Sequence, residues 1–317
     1  MKLKYILLTI LFPAMTILFA SCFDDLNTTP LDPKLYTADK AYSTPESYMQ
    51  GLAKLYAALG LSGQSGPASA EIADVDAGTS PFLRTFWYMQ EFTTDEVTFT
   101  QSDPGCPELS YNTYSTLNNP IISGLYYRLL FTITMCNDYL KQTTDERLND
   151  RGVDDALRAN IQYYRSETRF LRALMYYHAM DMFGNTPFIT ENDPIGTYLP
   201  PQRSRAELYS FIESELLELS DDPHMTEPRQ NEYGRADKAA VWMLLSRLYL
   251  NAEVYIQTPK YDECMKYARN VISAGYDLCP NYAELFMADN GENTDARKEM
   301  IFTINFDPSR PRPAQRP

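Results

Sequence analysis

The chain of 317 residues carries a formal net charge of −14, and 44% of its residues are hydrophobic. That length supports a substantial buried core in one large or two small domains, while an acidic surface repels phosphate backbones and argues against a nucleic-acid partner. Only two histidines occur, His178 and His224, neither close in sequence to a cysteine, so zinc binding and a histidine-driven nucleophile relay are both disfavoured.

In chain order, Lys2 and Lys4 precede an apolar run from Tyr5 to Phe19 that is interrupted only by Thr9, Pro13 and Thr16. The run is the length of a signal h-region and falls short of the roughly 20 apolar residues that span a bilayer. It stops at Ala20-Ser21-Cys22, small residues directly before a cysteine. Residues 1–21 therefore read as a lipoprotein signal peptide and Cys22 as the lipidated residue that anchors the chain to a membrane. Loss of Lys2 and Lys4 on cleavage takes the formal charge from −14 to −16. Residues 22–40 read as a tether. The other cysteines, Cys106, Cys136, Cys264 and Cys279, leave two readings open in an oxidising compartment: one or two disulfides, or four buried thiols.

Beyond the tether the pattern is helical. Tyr48, Leu52, Leu55 and Leu59 fall three or four residues apart, which predicts a helix within 41–59 with Thr44-Pro45-Glu46 as its start, and a Gly/Ser/Ala-rich stretch from Gly60 to Ser80 after it. The same spacing predicts helices over 120–143 and 154–183, the second ending at Gly184-Asn185. Ser204 three residues before Glu207 is a capping-box signature for a helix over 204–219. Residues 237–252 and 261–274 form one more helical pair around a turn at Thr258-Pro259, and 300–306 alternates like a strand. In the last pair, Trp242, Leu245, Ser246 and Tyr249 match the first-helix spacing of a tetratricopeptide repeat, with about six extra residues before the second helix. On that reading Trp242 is a core residue; His178, on the apolar stripe of the 154–183 helix, is another.

Several ordered blocks then carry a family resemblance: RFLRALMYYHAMDMFGNTPF (Arg169 to Phe188), EYGRADKAAVWMLLSRLYLNAE (Glu232 to Glu253), YDECMKYARNVISAGYDLCPNYAELF (Tyr261 to Phe286) and EMIFTINF (Glu299 to Phe306), with QEFTTDEV (Gln90 to Val97) and MCNDYL (Met135 to Leu140) upstream. These resemble the SusD/RagB-like outer-membrane lipoproteins of the Bacteroidetes. The resemblance implies a mainly all-α fold, in which tetratricopeptide-like helix pairs form a right-handed superhelical scaffold with irregular loops and little strand. It implies an outer-membrane, cell-surface location, with Asp24-Asp25 similar to an acidic export signal. It also implies capture of a glycan, or in some members a peptide, for a SusC-like TonB-dependent transporter. Family members continue well beyond Phe306, so 41–306 is expected to be an incomplete SusD-like domain and 307–317, with its four prolines and three arginines, an irregular tail.

No Gly-rich phosphate loop occurs, and Asp74-Val75-Asp76-Ala77-Gly78 lacks the later acidic ligands of a calcium loop, so neither cofactor nor metal is expected. Asp95-Glu96 reads as a turn or helix cap, not a catalytic carboxylate pair. Binding is the better-supported chemistry, because sugars offer apolar ring faces to aromatics and hydroxyl edges to polar groups. Of 24 tyrosines and 2 tryptophans, most lie at helical packing positions. Trp87 differs: it stands with Arg84, Phe86 and Tyr88 after a Gly/Ser-rich stretch and ahead of Thr94-Asp95-Glu96, and is the leading ligand-binding candidate. Tyr111, Asn112 and Tyr114, in the segment from Ser102 to Asn119, are further candidates. The alternative reading is a tetratricopeptide-type lipoprotein whose concave face binds peptides or protein partners.

Overall fold

The computed structural model describes residues 37–63, 70–73, 75–100, 102–116, 118–194 and 198–306. The signal peptide, Cys22, Asp24-Asp25, most of the tether, Asp74 and the tail at 307–317 lie outside the described residues. The chain divides into two compact units, Met1–Ser43 and Thr44–Pro317. In the first, Thr37 caps the short helix α1 (Ala38–Ala41) by accepting a hydrogen bond from the Lys40 backbone.

The second unit is helical. Its first helix, α2 (Pro45–Gly60), starts at the expected Thr44-Pro45-Glu46, because Pro45 suits the first helical turn and holds Thr44 extended at φ −127 and ψ 154. Then come α3 (Phe82–Glu91), α4 (Cys106–Ser110) and α5 (Pro120–Gln142), the last capped by the Asn119 side chain on the amides of Ile121 and Ile122. After α6 (Asp145–Asp150), Asp154 caps the long α7 (Asp155–Phe183), which ends at Gly184 with φ 74. The Ser204–Glu207 capping box opens α8 (Arg205–Asp221). Between α7 and α8 lies a two-strand ladder, β1 (Thr186–Pro187) antiparallel to β2 (Gln202–Arg203).

The repeat-like pair is α9 (Lys238–Leu250), capped by Asp237, and α11 (Tyr261–Ser273). The residues inserted between them form α10 (Ala252–Ile256), whose Tyr255 hydroxyl donates to Asp181 at 2.7 Å. A short helix therefore fills the connection ahead of Thr258-Pro259, and the chain is non-helical at those two residues, where the turn was expected. Leu245 and Tyr249 are buried, Tyr249 stacks on Tyr267 at 5.8 Å, and Ser246 donates to the Cys264 carbonyl at 3.3 Å. Helices α5 and α7, α7 and α8, and α8 and α9 pack in series, giving the expected all-α scaffold of tetratricopeptide-like pairs.

Two expectations are corrected. Residues 300–306 form no strand: nothing among the described residues pairs with them, and Phe302 instead packs edge-on against Phe170 at 5.5 Å and near Tyr56 at 6.3 Å. Phe302 is thus satisfied by helix packing, whereas Phe306 stays exposed. Trp242 is only half-buried, and its indole N–H donates to Ser220 Oγ at 2.9 Å. The four cysteines Cys106, Cys136, Cys264 and Cys279 are free thiols. Burial pushes Cys106 up to about 11 and Cys136 up to about 12, so both stay protonated and unreactive near neutral pH.

The burial difference between the two repeat positions gives a direct test. Leu245→Ala should cost about 2 to 5 kcal/mol, since the side chain is fully enclosed. Trp242→Ala should cost less, about 1 to 2 kcal/mol, because part of its ring already faces water. Denaturant unfolding of the two variants checks this order, and an equal or larger loss for Trp242 would mean that the indole is a core anchor.

Candidate functional site

The segment before α3 is pinned from inside. Arg128 of α5, fully buried, donates from Nε to the Ser80 carbonyl at 2.9 Å and from Nη2 to the Ser62 carbonyl at 2.9 Å. Its Nη1 pairs with Glu71 at 3.2 Å, and Glu71 also pairs with Lys54 of α2. Gly124 of α5 lets this segment approach closely, because an added Cβ would meet Val75 at 3.3 Å and Thr85 at 3.6 Å. Asp76 closes a local turn by accepting from the Gly78 amide at 2.9 Å.

Held this way, α3 turns Phe82 and Thr85 inward. Phe82 and Phe86 meet the ring of His178 at 5.2 Å and 4.7 Å. His178 is buried, and Nδ1 has no hydrogen-bond partner among the described residues. Burial, helped by the charge of Arg247, pushes its imidazole down to about 3. It is a neutral packing group, as the sequence indicates.

The outer side of α3 carries Arg84, Trp87 and Tyr88. Trp87 is 46% exposed and is braced edge-on by Phe92 at 5.5 Å and Tyr88 at 6.0 Å. Tyr88 stacks on Phe92 at 4.4 Å, and Phe92 lies 5.0 Å from Phe99. Arg84 sits 5.6 Å from the Tyr88 ring centre and donates to the Gly78 carbonyl. Burial raises the Tyr88 hydroxyl above its ordinary range, so it remains a hydrogen-bond donor across physiological pH. Arg84, Trp87 and Tyr88 thus form one patch on a rigid aromatic base, an arrangement suited to stacking a sugar ring and bonding its hydroxyls.

The other three candidates belong to a neighbouring segment. Tyr111 is 75% exposed and follows α4; Asn112 is left-handed at φ 52; Tyr114 is 39% exposed. No ring contact joins Tyr111 or Tyr114 to Trp87 among the described residues. The two groups share a foundation, however, since Cys106 and Leu109 of α4 lie in the same buried cluster as Phe92, with Tyr88 and Phe99 packed on it. Phe92 and Phe99 went unnoticed at the sequence level, although both lie within or just after the QEFTTDEV block. Asp95-Glu96 is a turn: the Glu96 amide donates to Thr94 Oγ1, whose hydroxyl donates to the Glu91 carbonyl.

A separate cavity of about 330 Å³, not anticipated from sequence, lies between the loop ahead of α9 and the segment around helix α12 (Thr294–Glu299). None of the six candidates lines it. Among the described residues, no cluster of three metal-ligating side chains occurs, and no helix is long and apolar enough to cross a membrane.

Comparisons place this architecture. No family model matches the chain. The starch-binding protein SusD of Bacteroides thetaiotaomicron is 38% identical over 316 residues, 97% of this chain and 52% of that protein. A crystal structure of a SusD-like protein from Bacteroides fragilis superposes with a TM-score of 0.62 at 20% identity, over 88% of this chain and 48% of that one. Surface glycan-binding protein A from B. thetaiotaomicron, in complex with laminarihexaose, gives a TM-score of 0.58 at 23% identity, over 82% of this chain and 49% of that one. The fold is that of a SusD-type helical scaffold. The chain is similar to SusD and SusD-like proteins over nearly all of its own length, and it spans about half the length of the curated relatives it matches.

The neutral His178 behind α3 predicts a pH effect. An unfolded histidine takes up a proton near 6.5, whereas the folded one resists until about 3, so native stability falls as the pH drops across that window. One such group contributes a slope of up to about 1.4 kcal/mol per pH unit. His178→Leu should flatten the acid limb of the unfolding free energy between pH 6.5 and 4; an unchanged slope would show that the imidazole titrates as if exposed.

Proposed function

We propose that the chain belongs to a cell-surface lipoprotein that captures oligosaccharides and hands them to a SusC-like TonB-dependent transporter. It acts as a binding protein and not an enzyme. The observation that carries this reading is the exposed Trp87 face, braced by Phe92 and flanked by Arg84 and Tyr88. The platform offers an apolar plane for a pyranose ring, with guanidinium and phenol donors at its edge for the hydroxyls. Tyr111, Asn112 and Tyr114 would extend the contact along a bound chain from the segment built on the same cluster. The SusD relative is a starch-binding protein, and a structural neighbour holds laminarihexaose, which favours a glucan as the first ligand to try. Cys22 carries the attached lipid that keeps the protein on the outer membrane, after removal of residues 1–21.

Trp87→Ala should weaken binding of a maltooligosaccharide by about 1 to 3 kcal/mol, on the scale of stacking a ring on an aromatic, with the melting temperature nearly unchanged. Isothermal titration beside a thermal melt separates the two effects. A large fall in melting temperature with unaltered affinity would make Trp87 a core residue and move the site elsewhere.

A further inference from the structure

The cavity beside α12 concentrates positive charge in a chain whose net charge is −14. Two of its guanidiniums are laid on aromatic faces: Arg297 lies 4.4 Å from the centre of the Tyr233 ring, and Arg229 lies 5.6 Å from that of Tyr276. Neither arginine has an ion-pair partner among the described residues. The other cations there are already committed, Arg235 to Glu167 and Lys298 to Asp295. The one buried acid in the wall, Asp237, accepts hydrogen bonds from the amides of Arg229, Ala239 and Ala240 and from the Tyr276 hydroxyl. Burial raises its carboxyl above the ordinary range, and its oxygens are answered by these amides and the phenol, with no ion pair to either guanidinium.

The backbone is arranged to the same end. Arg229 is a non-glycine residue in the left-handed region, at φ 63, a conformation that persists only where its surroundings enforce it. Its amide is held by Asp237 at 2.7 Å, and its Nη1 donates to the Gly275 carbonyl. Gly234 adopts φ 90 with the Asn305 amide where a Cβ would stand, so no side chain fits at this point in the wall. Asn305 in turn donates to the Tyr233 carbonyl at 3.0 Å, fixing the ring beneath Arg297.

We infer that this cavity is a second binding site that takes the carboxylate of an acidic sugar residue, with Arg297 and Arg229 as the charge-reading groups. A guanidinium reads a planar carboxylate through paired N–H donors. The volume, about 330 Å³, suits one sugar ring. The Thr303 hydroxyl, also in the lining, donates to Asn305 Oδ1 and keeps its acceptor lone pairs for a ring hydroxyl. The site is distinct from the Trp87 platform and selects by charge where that platform selects by ring face.

Titration calorimetry at fixed ionic strength, with glucuronate, glucose and sulfate as separate probes, tests this. Glucuronate should bind saturably, with glucose and sulfate each at least tenfold weaker. Arg297→Gln and Arg229→Gln should each weaken glucuronate at least tenfold without lowering the melting temperature, since both side chains are exposed. Trp87→Ala should leave glucuronate binding intact, which keeps this result separate from that of the glucan platform. Failure of glucuronate to saturate, or unchanged binding in both arginine variants, overturns the proposal. Sulfate binding as tightly as glucuronate would also overturn it, by making the cavity a site for free oxyanions and not for a sugar acid.

Discussion

The structure around the candidate site depends on one buried guanidinium. Arg128 is taken wholly out of water, which is tolerable only if its donors are answered. Burial lowers its pKa and Glu71 counters this. Its partners lie at both ends of the stretch between α2 and α3, at Ser62 on one side and Ser80 on the other. A segment rich in glycine, serine and alanine has little apolar surface with which to fix itself. The guanidinium supplies the fixed point instead, and α3 starts directly after it, so the orientation of Trp87 is set by a residue nowhere near the ligand face.

A second buried network performs the same service for the cavity. Glu167 of α7 is almost fully enclosed, pairs with Arg235, and accepts from the Tyr56 hydroxyl of α2 at 2.5 Å. Tyr56 accepts from the Ala236 amide at 2.9 Å, so the loop carrying Tyr233 and Gly234 is tied to two helices through one acid. Farther along α7, Arg172 joins Glu215 of α8 and Glu191. Charges hidden between helices thus register the pairs against one another, while the apolar stripes supply most of the packing energy.

The parts legible in the sequence are those governed by local rules. The Ser204–Glu207 box and the Gly184 stop each appear where the pattern placed them, because capping depends on residues a few positions apart. Helix α3 was not foreseen: Pro81 stands at its cap, and its aromatics do not form a single stripe, since Phe82 faces inward and Trp87 outward. The strand reading of 300–306 failed because alternation records which side chains are apolar and not what they will meet. Of the six site candidates, the three on α3 are adjacent through helical spacing. The cavity was invisible, since Arg229, Tyr233, Tyr276 and Arg297 come from separate stretches joined only by the tertiary fold.

The claim that Arg128 sets the ligand-bearing helix is tested most directly by hydrogen exchange on Arg128→Met, which keeps a similar length but removes the donors and the charge. The amides of residues 82–91 should exchange at least about tenfold faster than in the parent protein, while those of α9 and α11 keep their protection. Unchanged protection across 82–91 would contradict the account, because it would show that α3 holds its place without the buried guanidinium.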